Sequence, residues 1–173
     1  MKPTIEYLPD KSINDEMDLQ LRKLLSTCFV KPQDSVFRDR RFFLEPYEHR
    51  WVIRSPDGEF VAHAGVHEKC VRTDAFEFPA GGICEVCVHP DFRGRGYVRL
   101  LMKQIHAWLR GQGFCFAILF GKLEVYSSSG YSRVDNCVNG GKDRIWVPAL
   151  VLVCALGRTA WPQGRVEMPG PDF

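Results

Sequence analysis

The chain has 173 residues, 45% of them apolar and 25% charged, with a net charge of +2. That is enough for one domain with a real core, and the charge is too small to point to nucleic acid. No apolar run approaches the roughly 18 to 20 residues of a membrane span, and the opening MKPTIEYLPDKS lacks the apolar segment of a signal peptide, so a cytoplasmic protein is expected.

In chain order, Thr4 to Leu8 reads as a first strand. Ser12 and Asn14 are candidate caps for a helix whose apolar stripe is Met17, Leu21, Leu24, Leu25 and Cys28, and Pro32 is expected to stop it. The segment from Gln33 to Glu48 reads as a second short helix or a loop. Its bulky residues, Phe37, Phe42, Phe43 and Tyr47, must cover something. His49 to Arg54 and Glu59 to Arg72 read as two strands joined by the turn Ser55-Pro56-Asp57-Gly58. They feed a third strand, which predicts an antiparallel meander. No linker, repeat or low-complexity segment interrupts the chain, so a single domain over residues 1–173 is expected.

The most informative stretch runs from Gly82 to Leu109. Ile83, Val86 and Val88, with Cys84 and Cys87 between them, form an apolar run like a buried strand, which Pro90 should end. Arg93-Gly94-Arg95-Gly96 follows, and then a helical face of Val98, Leu101, Ile105, Trp108 and Leu109. A strand that delivers glycines to a helix start makes an anion site. The first helical N–H groups lack internal partners, the helix dipole is positive there, and glycine permits close approach. Neither G-x-x-x-x-G-K-[ST] nor G-x-G-x-x-G is present, since residue 99 is Arg99, so neither common nucleotide loop applies.

Gly111-Gln112-Gly113 reads as a helix stop. Phe114 to Phe120 reads as a strand buried on both faces and parallel to the central one. Leu123 to Ser128 reads as a short helix, Ala149 to Leu156 as a strand, and the tail from Gly157 as loop. The seven cysteines are odd in number. Cys84-x-x-Cys87 has no second ligand pair at finger spacing, and positions three apart on a strand face opposite ways, so structural thiols and no metal are expected. An acyl-cysteine at Cys84 or Cys87 is set aside because no His is placed by sequence to activate it.

The motif Val88-x-Pro90-x-Phe92-Arg93-Gly94-x-Gly96 resembles motif A of the GNAT (GCN5-related) N-acyltransferases, with Val98 where Gly or Ala is usual. Glu124-x-Tyr126-x-x-x-Gly130-Tyr131 resembles their motif B. The resemblance covers about residues 50–136, and the first 48 residues show none. It implies the GNAT fold, an α/β (α+β) arrangement with a central mixed, mostly antiparallel twisted sheet flanked by helices. It also implies acetyl-CoA as co-substrate. Its pyrophosphate would lie on Arg93, Gly94, Arg95, Gly96, Tyr97, Val98 and Arg99, its pantetheine arm and thioester on backbone groups of Cys87 and Val88, and Tyr126 near the sulfur. The segment 33–48 would then wall an acceptor pocket, or else be a satellite core cluster. Val61-Ala62-His63-x-Gly65, Leu150 to Val153, Gly157-Arg158, Trp161-Pro162-x-Gly164 and Gly170-Pro171 carry a patchier similarity to rhizobial nodulation N-acyltransferases, and the motif order is similar to that of aminoglycoside 2′-N-acetyltransferases.

Acyl transfer to an amine needs a base, because an ammonium ion is no nucleophile. Glu85, a carboxylate in an apolar strand, is the first candidate, since burial raises a carboxyl toward working pH. His89 and His63 are alternatives, and Tyr126 is the candidate acid. The expected function is transfer of an acetyl or acyl group to a small-molecule primary amine, of the amino-sugar or aminoglycoside kind. Phe37, Phe42, Tyr47 and Trp161 would stack on the sugar, and Glu45, Glu48 and Glu85 would attract the cation. No nucleic acid or membrane partner is expected, and a homodimer fits the reading. The alternative is a non-catalytic GNAT-fold module that binds CoA or serves regulation.

Overall fold

A computed structural model of the chain describes residues 3–141, 144–171 and 173. In chain order the elements are β1 (Ile5–Pro9), α1 (Asp15–Cys28), β2 (His49–Arg54), β3 (Phe60–Arg72), β4 (Glu77–Val88), α2 (Tyr97–Gly111), β5 (Phe116–Leu119), α3 (Leu123–Tyr126), β6 (Ser132–Val134), β7 (Cys137–Gly141), β8 (Arg144–Pro148), β9 (Val151–Ala155) and β10 (Val166–Pro169). They fall into two compact units, residues 1–66 with 84–102 and residues 67–83 with 103–173. Among the described residues no helix is long and apolar enough to cross a membrane.

In the first unit β1 pairs antiparallel with β2, Tyr7 opposite Trp51, and β2 with β3, Trp51 opposite Ala64. Asn14 caps α1, its side chain accepting from the Met17 N–H at 2.9 Å. The helix ends at Cys28, where the extended Phe29 donates its N–H to the Leu25 carbonyl, and not at Pro32. Lys31, ahead of that proline, is held extended, and Pro32 instead opens a 3-10 turn over Pro32–Arg38. The apolar stripe of α1, Leu21, Leu24 and Leu25, is buried with Leu8, Phe37, Val52, Phe60 and Cys87. Strands β1 to β3 and helix α1 thereby form the platform from which the end of β4 emerges.

In the second unit the strand order is β6-β9-β5-β4-β3-β10-β7-β8. Two pairs are parallel, β4 with β5 and β10 with β7; β5 with β9, β6 with β9, β7 with β8 and β10 with β3 are antiparallel. The mixed sheet with helices is thus present. Helix α2 lies so close to β4 that a Cβ on Gly81 would meet Leu109 at 2.7 Å, so glycine is needed there. The core of this unit includes Val71, Phe116, Ile118, Val151, Val153, Val166 and Met168.

Three boundaries differ from the sequence expectation. Strand β4 starts at Glu77, well before Ile83. A strand not expected from the sequence, β8, precedes β9. The tail read as loop contains β10, which lies parallel to β7 through Val166 and Cys137. Pro148 and Pro169 each sit at the last position of their strand, where a missing N–H costs least.

Candidate active site

The site is built on the end of β4. Its backbone breaks the regular strand at Glu85, where φ is +50°, the only positive φ at a non-glycine among the described residues. Such a conformation costs on the order of 1–3 kcal/mol and persists only where the surroundings enforce it. They do so from both sides. The ring Nδ1–H of His63 on β3 donates to the Glu85 carbonyl at 2.9 Å. The carboxylate is gripped separately: Oε1 accepts the Phe43 N–H at 2.6 Å, and Oε2 accepts the Tyr47 hydroxyl.

Electrostatics follow from that packing. Burial pushes the Glu85 carboxyl up to about 7, against the pull of the Tyr47 hydroxyl, the Phe43 N–H and the Arg50 and Arg40 cations. Burial pushes the ring of His63 down to about 3, with the Arg50 charge in support, so at neutral pH it is a neutral donor to the backbone. Tyr47 lies well above its ordinary value because burial, and then the charge of Glu85, oppose a phenolate. Arg50 is fully buried. Its Nη1 meets Asp10 at 2.6 Å and its guanidinium lies 4.8 Å from the Tyr47 ring centre, while its Nε and Nη2 have no hydrogen-bond partner among the described residues. Asp10 is raised by burial but lowered by more through Arg41 and Arg50.

Two residues beyond Glu85, the thiol of Cys87 points into the α1 cluster. It donates to Cys28, which makes Cys28 the more acidic thiol of the pair, with Arg93 adding to that effect; Cys87 is held well above its ordinary value. A thiol so protonated is a poor nucleophile. The chain then turns. The His89 N–H donates to the Val61 carbonyl at 2.8 Å, Pro90–Phe92 forms a 3-10 turn, and the Arg93 Nε donates to the Val88 carbonyl at 3.2 Å. Gly94 and Gly96 both have φ of +74°, a left-handed conformation that glycine adopts at no cost. Intrahelical bonding starts when the Leu100 N–H reaches the Gly96 carbonyl at 3.1 Å. The N–H groups of residues 97–99 therefore face outward from the helix start. Arg93, Gly94, Arg95, Gly96 and Arg99 are exposed, Tyr97, Val98 and Val88 partly so, and Arg95 lies over the Phe92 ring.

Tyr126 belongs to the second unit. It closes α3 at 9% exposure, edge-on to Tyr131, and covers Gly121. Tyr131 in turn shares a 2.8 Å hydrogen bond with buried His106. Gly130, with φ of +89°, allows the turn between the two tyrosines. Two of the four candidate stacking aromatics, Phe37 at 2% and Tyr47 at 1% exposure, are buried and inaccessible to a ligand, and a third, Trp161, is partly buried, T-shaped on Phe116 with its N–H on Asn136. Among the described residues no group of His, Cys, Asp or Glu could hold a metal ion.

Glu85, Cys87, Val88 and the loop to Arg99 thus fall in one unit because they are consecutive in the chain. Sequence reading missed what surrounds them. It marks Tyr47 as a bulky covering residue and a stacking candidate, and gives Arg50 and Asp10 no role, because nothing local marks a contact across some forty residues.

A family model described as an acetyltransferase (GNAT) domain matches residues 11–134, so the match extends into the first 48 residues, where sequence reading found none. No curated protein matches. Among solved structures, the Escherichia coli GNAT family N-acetyltransferase YhbS in complex with CoA aligns with a TM-score of 0.69 at 17% identity, covering 96% of this chain and 89% of that one. A GNAT family acetyltransferase from Brucella melitensis in complex with acetyl-CoA aligns at 0.64 and 20% identity over 94% of both chains. Eis1 from Mycobacterium abscessus aligns at 0.63 and 16% identity over 78% of this chain, which spans 32% of that protein. Identities this low speak for the fold.

Proposed function

Because the chain belongs to the GNAT acetyltransferase family, and so is an acyl-CoA-dependent N-acetyltransferase, we propose that it moves an acetyl group from acetyl-CoA to the primary amine of a small, polar, amino-sugar-like molecule, with Glu85 as base. The observation that carries the role of Glu85 is its setting: a carboxylate on a strained turn of backbone, held by two donors, with burial pushing it up to about 7. A base poised near the working pH takes a proton and releases it again with least loss.

The cofactor reading rests on the loop. The outward N–H groups at the start of α2, the two left-handed glycines and three exposed arginines suit a pyrophosphate. The CoA and acetyl-CoA complexes of the two structural neighbours support the same choice. Bound acetyl-CoA supplies an activated carbonyl. Glu85 removes one proton from the acceptor's ammonium group, directly or through a water. The amine nitrogen forms a bond to the thioester carbon, and the carbon–sulfur bond breaks. Tyr126 gives its proton to the departing thiolate and is restored by the second proton that the nitrogen sheds as the amide forms, and Glu85 returns the first to solvent, leaving an amide and free CoA. Backbone groups of Cys87 and Val88 would orient the pantetheine arm and thioester. The exposed carboxylates of Glu45 and Glu48, together with Phe42, remain available to a cationic sugar.

A panel of amines incubated with acetyl-CoA, read by release of the CoA thiol and by product mass, tests the reading. Acetylated amino sugars or aminoglycosides are the expected products. Product only from peptide N-termini or polyamines would remove the sugar acceptor and leave the acetyltransferase. CoA binding without turnover of any amine would favour a non-catalytic module. The Tyr126→Phe variant should keep its melting temperature and CoA affinity while kcat falls about ten- to a hundredfold, because only a modest acid is lost to a good leaving group. Full activity in that variant would make Tyr126 a packing residue.

A further inference from the structure

We propose that the segment from residue 39 to residue 48 is a holder for the base, in which Tyr47 and the Phe43 N–H are positioning groups that fix the Glu85 carboxylate for proton abstraction. The inference rests on Glu85 being the base.

The segment is irregular after its 3-10 turn, yet it is anchored firmly. The Arg41 guanidinium forks onto Asp10 at the end of β1, Nε to Oδ1 at 2.9 Å and Nη2 to Oδ2 at 2.8 Å, and its third nitrogen reaches Asp18 on α1 at 2.9 Å. Arg22 on α1 donates to the Arg38 carbonyl at 2.8 Å. Planar forks of this kind fix direction as well as distance. The Arg40 guanidinium folds back onto the Phe43 carbonyl, in the peptide that follows the one whose N–H meets Glu85. From this base the segment delivers one donor to each oxygen of Glu85.

Tyr47 is set with little freedom. It is 1% exposed, with the Arg50 guanidinium over its ring. Gly65 lies beneath it: a Cβ there would approach Tyr47 Cε2 to 2.4 Å and Cys84 Sγ to 2.8 Å. Glycine at position 65 is therefore the gap that the tyrosine occupies. The phenol keeps its proton, because burial and the facing carboxylate both oppose ionisation. Toward the ionised carboxylate it is a donor, and the Arg41 carbonyl at 3.3 Å is another acceptor within its reach. The other groups that face Glu85 are the cations Arg50 and Arg40, the protonated thiol of Cys87, and neutral His63, which holds the backbone carbonyl. Of all these, Tyr47 is the strongest single influence that opposes the effect of burial.

The test uses the intact protein without substrate. The Glu85 carboxyl carbon, labelled with carbon-13, should titrate near 7 in the parent protein. In Tyr47→Phe, which keeps the ring and its packing, the midpoint should rise by about one unit, the size expected for losing a hydrogen bond to a charged group. The acid limb of kcat/KM should rise by the same step, and kcat at pH 7 should fall up to about tenfold, with KM for acetyl-CoA unchanged. If Tyr47→Phe does not fold, difluorotyrosine at position 47, a stronger donor, should move the midpoint down. An unmoved midpoint overturns the holder while leaving the base untouched. Full activity in Glu85→Gln, with the midpoint of Tyr47→Phe still displaced, overturns the base, and the catalytic meaning of the holder goes with it.

Discussion

Glu85→Gln is expected to fold, to bind acetyl-CoA as the parent does, and to lose about 10²- to 10⁴-fold in kcat/KM, the usual worth of a general base. The amide fits the same two contacts. Its oxygen can accept the Phe43 N–H, and its NH2 can donate to the Tyr47 oxygen, which then points its proton elsewhere. In the parent, rate should climb with pH through about 7 as Glu85 ionises. The variant should lack that limb and keep only the one set by the acceptor amine. Stability supplies an independent check. A carboxyl raised from about 4.3 in the unfolded chain to about 7 in the fold binds a proton in the native state throughout that interval. The unfolded chain has already released its own. Stability must therefore fall as pH rises across the window, by on the order of 3 kcal/mol in total. The opposite slope comes from His63, neutral in the fold with its value lowered to about 3, which removes stability as pH drops below its ordinary range. Both proteins share the histidine, so their difference isolates Glu85. The variant should be the more stable at pH 8 and should lose that advantage near pH 4. Equal melting curves at both pH values would mean that Glu85 is not raised, and unchanged turnover would remove it from the chemistry.

How far the sequence foretold this arrangement depends on the range of each contact. The loop from Arg93 to Arg99 was legible because everything it needs is local: an apolar strand before it, two glycines, and a stripe of 3.6-residue period after it. The cap at Asn14, the turn at Gly58 and the parallel placement of β5 were legible for the same reason. Strands β6, β7, β8 and β10 were not. They have three to five residues each, carry glycine or proline at Gly140, Gly141, Pro148 and Pro169, and owe their existence to neighbours in the sheet, not to β propensity. The identity of Glu85 as a buried carboxylate could be guessed from its apolar flanks. Its positive φ could not, because Glu is not a residue type that marks such a turn, and the His63 contact that accompanies it comes from another strand. The sequence likewise showed the aromatics of residues 37 to 47 without sorting them. Phe37 went to the α1 core cluster, and Tyr47 to the carboxylate, seated in the gap that Gly65 leaves.

Gly96→Asp is expected to weaken CoA binding by about ten- to a hundredfold without unfolding the protein. Position 96 faces open space, with no atom within 4 Å of where a Cβ would lie, so the side chain itself collides with nothing. Its φ of +74° is the left-handed region, which aspartate and asparagine tolerate better than other non-glycine residues. The penalty is then mainly electrostatic. A carboxylate at the start of α2 would occupy the field that is to hold a pyrophosphate, and would offer itself to the N–H groups of the first turn in place of the ligand. At an effective dielectric near 20, like charges about 5 Å apart repel by on the order of 3 kcal/mol, less after screening by salt. Gly96→Asn separates the two causes, because it carries the same backbone cost and no charge. Calorimetric titration with CoA should therefore rank the proteins parent, then Asn, then Asp, and added salt should narrow the gap between Asn and Asp. Equal losses in both variants would assign the effect to the backbone. Unchanged affinity in the aspartate variant would place the cofactor's phosphates away from this loop.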